Sequence, residues 1–264
     1  MSLVENNLFD GTIDKVKIAL SRIQEFERPQ GYYVAFSGGK DSIVIKKLVE
    51  MSGVKFETHF NLTTVDPPEL ITYIRNFHKD VIWHRPKYNM KQLIIKNLYP
   101  PTRLVRYCCA YLKEGKDQIG GCQSGQMVIT GIRWQESSKR KSRKMTEICL
   151  KDNTKVFLHP IIDWSDEDVW EFIKKYSLPY CCLYDKGFKR IGCIGCPQAT
   201  SQKKDLDLYP KIKNMYLSAF KQVMKIRQSK KMNNVAFGTD EYGLMKWWVE
   251  NKKNTLSDQT VLFD

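Results

Sequence analysis

The stretch Tyr32-Tyr33-Val34-Ala35-Phe36-Ser37-Gly38-Gly39-Lys40-Asp41-Ser42 decides the fold. Its first five residues are β-prone and mostly apolar, which predicts a buried strand, and Ser-Gly-Gly predicts a tight turn. Asp41 to Glu50, with Ile43, Val44, Lys47 and Leu48 at helical spacing, predicts a helix. A strand that passes through a glycine turn into a helix leaves the first backbone N–H groups of that helix unpaired and aimed at the turn. Two glycines let an anion such as pyrophosphate approach the main chain, and Lys40 brings a mobile positive charge to the same place. The Walker spacing G-x-x-x-x-G-K-[ST] is absent, so the segment is either a phosphate loop of another kind or an ordinary capped Gly-Gly turn.

Outward from this loop the pattern alternates. Ile13 to Phe26 predicts a helix ending before Pro29, Val54 to Phe60 a strand, Glu69 to His78 a helix and Val81 to Trp83 a short strand. Met90 to Asn97 predicts another helix, Met127 to Thr130 a buried strand, and Val156 to Leu158 a further one. Ser165 followed by Asp168 resembles a capping box, so a helix is expected over Asp166 to Lys175. Alternating strands and helices imply parallel βαβ units, with a ligand beyond the carboxyl ends of the strands. The expected fold is α/β, a doubly wound, mainly parallel sheet with an adenine-nucleotide-type domain over residues 1–160. A helical, cysteine-bearing C-terminal extension follows over 161–264, with helices at Leu206 to Arg227 and Glu241 to Asn251.

The eight cysteines have a pattern of their own. Cys108-Cys109 lie in Arg-Tyr-Cys-Cys-Ala-Tyr-Leu-Lys, and Cys193 and Cys196 form a C-x-x-C between glycines. Adjacent cysteines close a disulfide with difficulty, but together the four thiols could make one closed site. Four thiolates suit either zinc or a [4Fe-4S] cluster; a contiguous pair is a poor zinc knuckle, which tilts the choice toward iron and sulfur, and unliganded cysteines are the third possibility. Cys122, Cys149, Cys181 and Cys182 are thiols without an evident role.

At 264 residues, 42% hydrophobic and 27% charged, the composition is that of a globular protein. No apolar run approaches the roughly 18 residues that span a bilayer, and the opening residues lack a basic-then-apolar signal pattern, so a cytoplasmic protein is expected. A formal charge of +14 points to nucleotides or polyanions as partners, or to a lysine-rich solvated surface. Lys139 to Lys144 is one dense basic cluster, and the segment from Lys203 to Lys231 is another. Arg133 and Arg140, beyond the strand at Met127, suit a phosphate or sulfate in the same crevice as the loop, or a salt-bridged surface loop.

Four stretches together resemble the phosphoadenosine phosphosulfate (PAPS) and adenosine phosphosulfate (APS) reductase family of the adenine nucleotide α-hydrolase, or PP-loop, superfamily. They are Ser37 to Ser42, Cys108-Cys109 with Lys113, Gly131 to Arg140, and Asp163-Trp164 through Leu-Tyr-Asp-Lys-Gly to Ile-Gly-Cys-Ile-Gly-Cys. The resemblance covers roughly residues 31–200. It implies an adenine nucleotide (PAPS, APS, or ATP with magnesium) bound by Ser37, Gly38, Gly39, Lys40, Asp41, Ser42 and Arg140. It also implies a [4Fe-4S] cluster on Cys108, Cys109, Cys193 and Cys196, with Lys40, Lys113 and Arg133 near the reacting end of the nucleotide. Those reductases use a cysteine close to their C-terminus, whereas no cysteine follows Cys196 in this sequence. Related sulfur-transfer enzymes with the same loop thiolate tRNA or DNA, taking sulfur from a thiol or persulfide donor protein. A nucleotide-binding partner protein without turnover is the remaining alternative.

Overall fold

The computed structural model describes residues 3–7, 11–114, 126–149, 152–233 and 235–250; Cys122 lies outside them. In chain order the elements are β1 (Val4–Asn7), β2 (Gly11–Asp14), α1 (Lys15–Glu25), β3 (Tyr32–Ala35), α2 (Lys40–Ser52), β4 (Phe56–Asn61), α3 (Pro68–Phe77), β5 (Ile82–His84), α4 (Met90–Asn97) and α5 (Tyr107–Leu112). There follow β6 (Met127–Ile129), α6 (Ser138–Lys141), β7 (Thr146–Cys149), β8 (Asp152–Leu158), α7 (Asp166–Lys175), α8 (Gln202–Leu208), α9 (Pro210–Ser229) and α10 (Glu241–Glu250).

The chain forms two compact units that do not divide at residue 160. The first holds the described residues up to Asn61, then Pro68–His84 and the residues from 126 to Ile191; the second holds Leu62–Pro67, the residues from Arg85 to 114 and those from Gly192 onward. The physical reason is where α7 and α4 bury their apolar faces. Val169, Phe172 and Ile173 of α7 join the core that contains Ile45 and Leu48 of α2, whereas Leu93 and Ile94 of α4 join Phe220 and Val223 of α9.

The first unit is built on a six-stranded sheet in the order β5-β4-β3-β6-β8-β7, parallel except for the edge strand β7. The chain winds outward from β3 to β5 and then returns to β6 on the other side of β3. The strand order therefore reverses between β3 and β6, the place where α/β sheets open a crevice beyond the carboxyl ends. Tyr32, Val34, Ile129 and Leu158 bury one face of these strands against Val44, Ile45 and Leu48 of α2 and Val16, Ala19 and Ile23 of α1. Asp14 caps α1 by accepting from the backbone of Val16 and Lys17, and Ser165 and Asp168 form the reciprocal capping box of α7.

The second unit is helical. Leu93, Phe220, Leu244 and Trp248 lie in one core with Cys108 and Ile194. The basic helix expected over Leu206 to Arg227 is two helices, because Pro210 begins α9 and Tyr209 leaves the helical backbone between them. The β1–β2 hairpin, α5 and β7 add to the elements legible from periodicity.

Of the four buried imidazoles in the sheet unit, three are pushed well below the usual range. His59, stacked 3.9 Å from Tyr33, is pushed down to about 4 by burial and then by His84; His78 by burial and then by Lys46; and His159 by burial and then by Arg143. All three are neutral in the native state, and an unfolded chain takes up their protons near pH 6.5. Their contribution is thus present above about pH 6.5 and is lost as pH falls toward 4, at most ~1.4 kcal/mol per pH unit each and less where solvent screens the ring. Urea unfolding followed from pH 7 to pH 4.5 should show a midpoint that falls steadily, and a flat profile would mean that the folded and unfolded chains take up these protons alike.

Candidate functional site

Two clusters of side chains stand out, one in each unit. In the sheet unit, Phe36 leads from β3 into Ser37-Gly38-Gly39. Gly38 takes φ +72°, and a Cβ there would lie 2.7 Å from Leu70 and 2.9 Å from Ile74, so only glycine fits. Gly39 is the N-cap of α2 and offers no side-chain cap, so the first N–H groups of this thirteen-residue helix face the turn. Ser42 ties the loop closed: its hydroxyl donates to Gly39 O at 2.8 Å and accepts from Ser37 N at 3.2 Å.

The cations are not free. Lys40 is buried, and its ammonium lies 3.2 Å from Asp41 and 3.0 Å from Asp166. Arg133 is 1% exposed; it donates from Nε to Asp41 at 2.7 Å, to Trp164 O at 3.3 Å, and through its other terminal nitrogen to Asp166. Two cations and two carboxylates thus form one balanced quartet. Burial alone would raise the Asp166 carboxyl, but the hydrogen bonds from Lys40 and Arg133 hold it below the usual carboxylate range. Gly131, at the exit of β6, makes this possible by passing against the start of α2: a Cβ there would lie 2.9 Å from the Asp41 backbone.

Arg140 pairs with Glu136, and Arg143 with Glu147 at 2.6 Å. Burial and then the like charge of Arg190 lower Arg140 to about 10, so it remains charged at neutral pH. The loop also receives Tyr184, whose hydroxyl accepts from Lys40 N at 2.8 Å. Sequence reading missed Asp166, Tyr184 and Arg190. Asp166 looked like an ordinary first-turn acid, and Tyr184 stood in the Leu-Tyr-Asp-Lys-Gly motif without a role.

In the helical unit, Cys108, Cys109, Cys193 and Cys196 line one cavity together with Thr63 and Lys113. Cys108 and Cys109 ride on α5, and Cys193 and Cys196 on a tight turn in which Cys196 N donates to Cys193 O. That turn is clamped by Ile194 N donating to Val65 O at 2.8 Å and by Tyr216 donating to Ile194 O at 3.0 Å. Arg103 donates to Pro197 O at 2.9 Å. Gly195, at φ +73°, is walled in by Leu206, Trp248 and Tyr216.

Lys113 is exposed along its stem, but its ammonium reaches the thiols, and the charge of Cys193 raises its pKa against the opposing effect of burial. A hydrogen bond from Cys108, with Lys113 and Arg106 nearby, lowers Cys109 to about 6, while the same bond and burial push Cys108 up. Among the described residues no three His, Cys, Asp or Glu side chains gather closely enough to ligate a single ion. Four thiols spread around a mostly apolar cavity, with a cation to offset thiolate charge, fit a multinuclear cluster that takes one sulfur at each corner.

Cys181 is buried and Cys182 exposed, both in the sheet unit; Cys149 is half-buried. No helix among the described residues is long and apolar enough to cross a membrane.

Residues 31–199 match the family model of the phosphoadenosine phosphosulfate reductase domain. The chain belongs to this family, within the adenine nucleotide α-hydrolase, or PP-loop, superfamily. It is 29% identical over 200 residues to an uncharacterized protein of Methanocaldococcus jannaschii, covering 71% of this chain and 47% of that protein. It is also 34% identical over 99 residues to the adenosine 5'-phosphosulfate reductase of Oceanobacillus iheyensis, covering 37% of this chain and 40% of that protein. The chain thus spans less than half the length of these relatives. Among solved structures it resembles the PAPS reductase of Candida auris with a TM-score of 0.49 and 16% identity, over 66% of this chain and 87% of that one. That likeness is too distant to carry a function.

Gly131→Ala should test the junction on which the quartet depends. Overpacking against the Asp41 backbone should cost ~1–3 kcal/mol of stability and weaken nucleotide binding, measured by urea unfolding and calorimetric titration. Unchanged values in both would mean that β6 and α2 can part without consequence.

Proposed function

We propose that this chain is an ATP-dependent enzyme of sulfur chemistry, which activates an oxygen of an acceptor by adenylation so that sulfur can replace it. The observation that carries this reading is the charge balance of the loop. Lys40 and Arg133 are already matched by Asp41 and Asp166, so a nucleotide bringing several negative charges needs a further cation. Asp41 and Asp166 would supply oxygen ligands of the kind magnesium takes, and magnesium would neutralise phosphate charge there.

The backbone N–H groups at the start of α2 then bind the pyrophosphate end. Once their carboxylate partners are engaged elsewhere, Lys40 and Arg133 can turn to phosphate oxygens, with Arg140 beside them. The acceptor oxygen attacks the α-phosphorus, the bond to the bridging oxygen breaks, and pyrophosphate departs into the loop; a sulfur nucleophile afterwards displaces AMP. Cys108, Cys109, Cys193 and Cys196 would hold a [4Fe-4S] cluster, which supplies a site for binding or activating sulfur. Lys113 offsets thiolate charge in that cavity and keeps its ammonium at Cys193.

Exposed Lys139, Lys141 and Lys144 beside Trp134, itself 41% exposed, support tRNA or DNA as the acceptor. A thiol or persulfide donor protein would deliver the sulfur. The second reading is reduction of PAPS or APS to sulfite, favoured by the family match and by the crowding of Arg140, Arg143 and Arg190.

Anaerobic protein incubated with magnesium, ATP, sulfide and bulk tRNA or DNA should release pyrophosphate and AMP in a nucleic-acid-dependent manner. Sulfite from PAPS or APS with a thiol reductant would establish the second reading instead, and nucleotide binding without either product would leave a partner protein. Lys40→Ala should lower kcat/KM for ATP at least ~10-fold, the value of one charge-assisted hydrogen bond, and equal activity would remove Lys40 from the reaction.

Cys193→Ser should deplete iron and acid-labile sulfide in purified protein. Zinc without sulfide in the wild type would overturn the cluster.

A further inference from the structure

Tyr184 meets the loop at the atom that a nucleotide phosphate needs. Its hydroxyl accepts from the Lys40 N–H at 2.8 Å, and a Cβ added to Gly39 would lie 3.3 Å from that oxygen. The residue is anchored from behind. Its neighbour Leu183 and the nearby Cys181 are fully buried, and Tyr184 N donates to Cys181 O at 3.1 Å. The backbone therefore stays while the ring can turn about its own side-chain bonds.

On its other side the ring packs edge-on against Trp170, with centroids 5.2 Å apart at 86°; Tyr180 meets the same indole at 5.3 Å. Burial raises the phenol's pKa, so what faces the helix N-terminus is a neutral acceptor. A phosphate oxygen competing for the same N–H carries charge, is favoured by the helix dipole, and makes a hydrogen bond about twice as strong as a neutral one.

We propose that Tyr184 is a gate and specificity residue of the loop: its phenol oxygen holds the Lys40 N–H until a pyrophosphate oxygen of the nucleotide displaces it, and the ring then leaves Trp170. The gate selects for pyrophosphate. A nucleoside or nucleoside monophosphate, whose single phosphate does not reach the loop, leaves the phenol in place. The competition also lowers the apparent affinity of every ligand that must open it, because only the open fraction binds. This inference rests on the reading above that the loop binds nucleotide phosphates.

The test is a fluorescence and calorimetric titration of the full chain with inorganic pyrophosphate, a non-hydrolysable ATP analogue with magnesium, and AMP. Pyrophosphate and the analogue should change tryptophan emission, AMP should not, and Trp170→Phe should abolish the change while binding persists. Tyr184→Phe keeps the ring but removes the competing oxygen. It should bind pyrophosphate and the analogue roughly 3- to 10-fold more tightly, the factor for one neutral hydrogen bond, with AMP affinity unaltered. Tyr180→Phe, against the same indole but away from the loop, should leave affinities as they are.

Weaker binding by Tyr184→Phe would make the phenol a ligand rather than a competitor and would overturn the gate. So would equal affinity, or wild-type binding of pyrophosphate with no signal from Trp170. If neither wild type nor variant binds any of the three ligands, the nucleotide reading of the loop falls and the gate falls with it.

Discussion

The sheet unit depends on the neutrality of one buried junction. Lys40 and Arg133 come from elements far apart in sequence, and each would be costly to bury alone. Asp41 and Asp166 make both tenable, and through them the start of α2, the exit of β6 and the start of α7 are held together at the reversal of strand order. The same junction exposes the N–H groups of α2, so what makes the crevice stable also makes it receptive to an anion. Gly131 is the geometric condition for this, because it lets β6 pass within van der Waals range of the Asp41 backbone.

The helical unit solves a different problem, which is to hold four thiols around one space. Two come from a six-residue helix and two from a turn closed by Cys196 N donating to Cys193 O. The turn is fixed by main-chain acceptors: Ile194 O takes the Tyr216 hydroxyl, Gly195 O takes the Gln202 amide, and Pro197 O takes Arg103. Tyr216 packs at 4.8 Å on Trp248, whose indole N–H donates to Pro101 O. Aromatic packing thus sets the turn that sets the sulfurs.

Much of this was legible from the chain alone, for reasons that differ by element. The loop was legible because strand, glycine pair and helix follow one another within eleven residues, and α7 because both ends of its capping box are local. The edge strand β7 was not, since Thr146–Cys149 is short and gains its partner only by antiparallel pairing with β8. The unit boundary was not legible either: it follows which core each apolar face enters, and the chain crosses it more than once. The cations of the site and Asp41 could be named from sequence, but the second acid, Asp166, could not. Asp166 lies 126 residues from Lys40, and nothing local distinguishes it from a helix-capping acid.

That asymmetry bears on how the loop would recognise phosphate. A lysine beside two glycines suggests a point charge aimed at the ligand, yet the Lys40 ammonium is engaged by two carboxylates and its backbone N–H by the Tyr184 hydroxyl. Attraction at first approach must therefore come from the dipole of α2 and from the arginines beside it. Arg140, which pairs with Glu136, is lowered by burial and by the like charge of Arg190, so an anion nearby would favour its charged form. Fixed dipoles and crowded arginines bind an anion without a dedicated counter-charge, and a product bound that way can leave when its own charge is no longer matched. On the adenylation reading, a loop that releases pyrophosphate at each turnover would be better served by such an arrangement than by a free lysine, which would hold the product as firmly as the substrate.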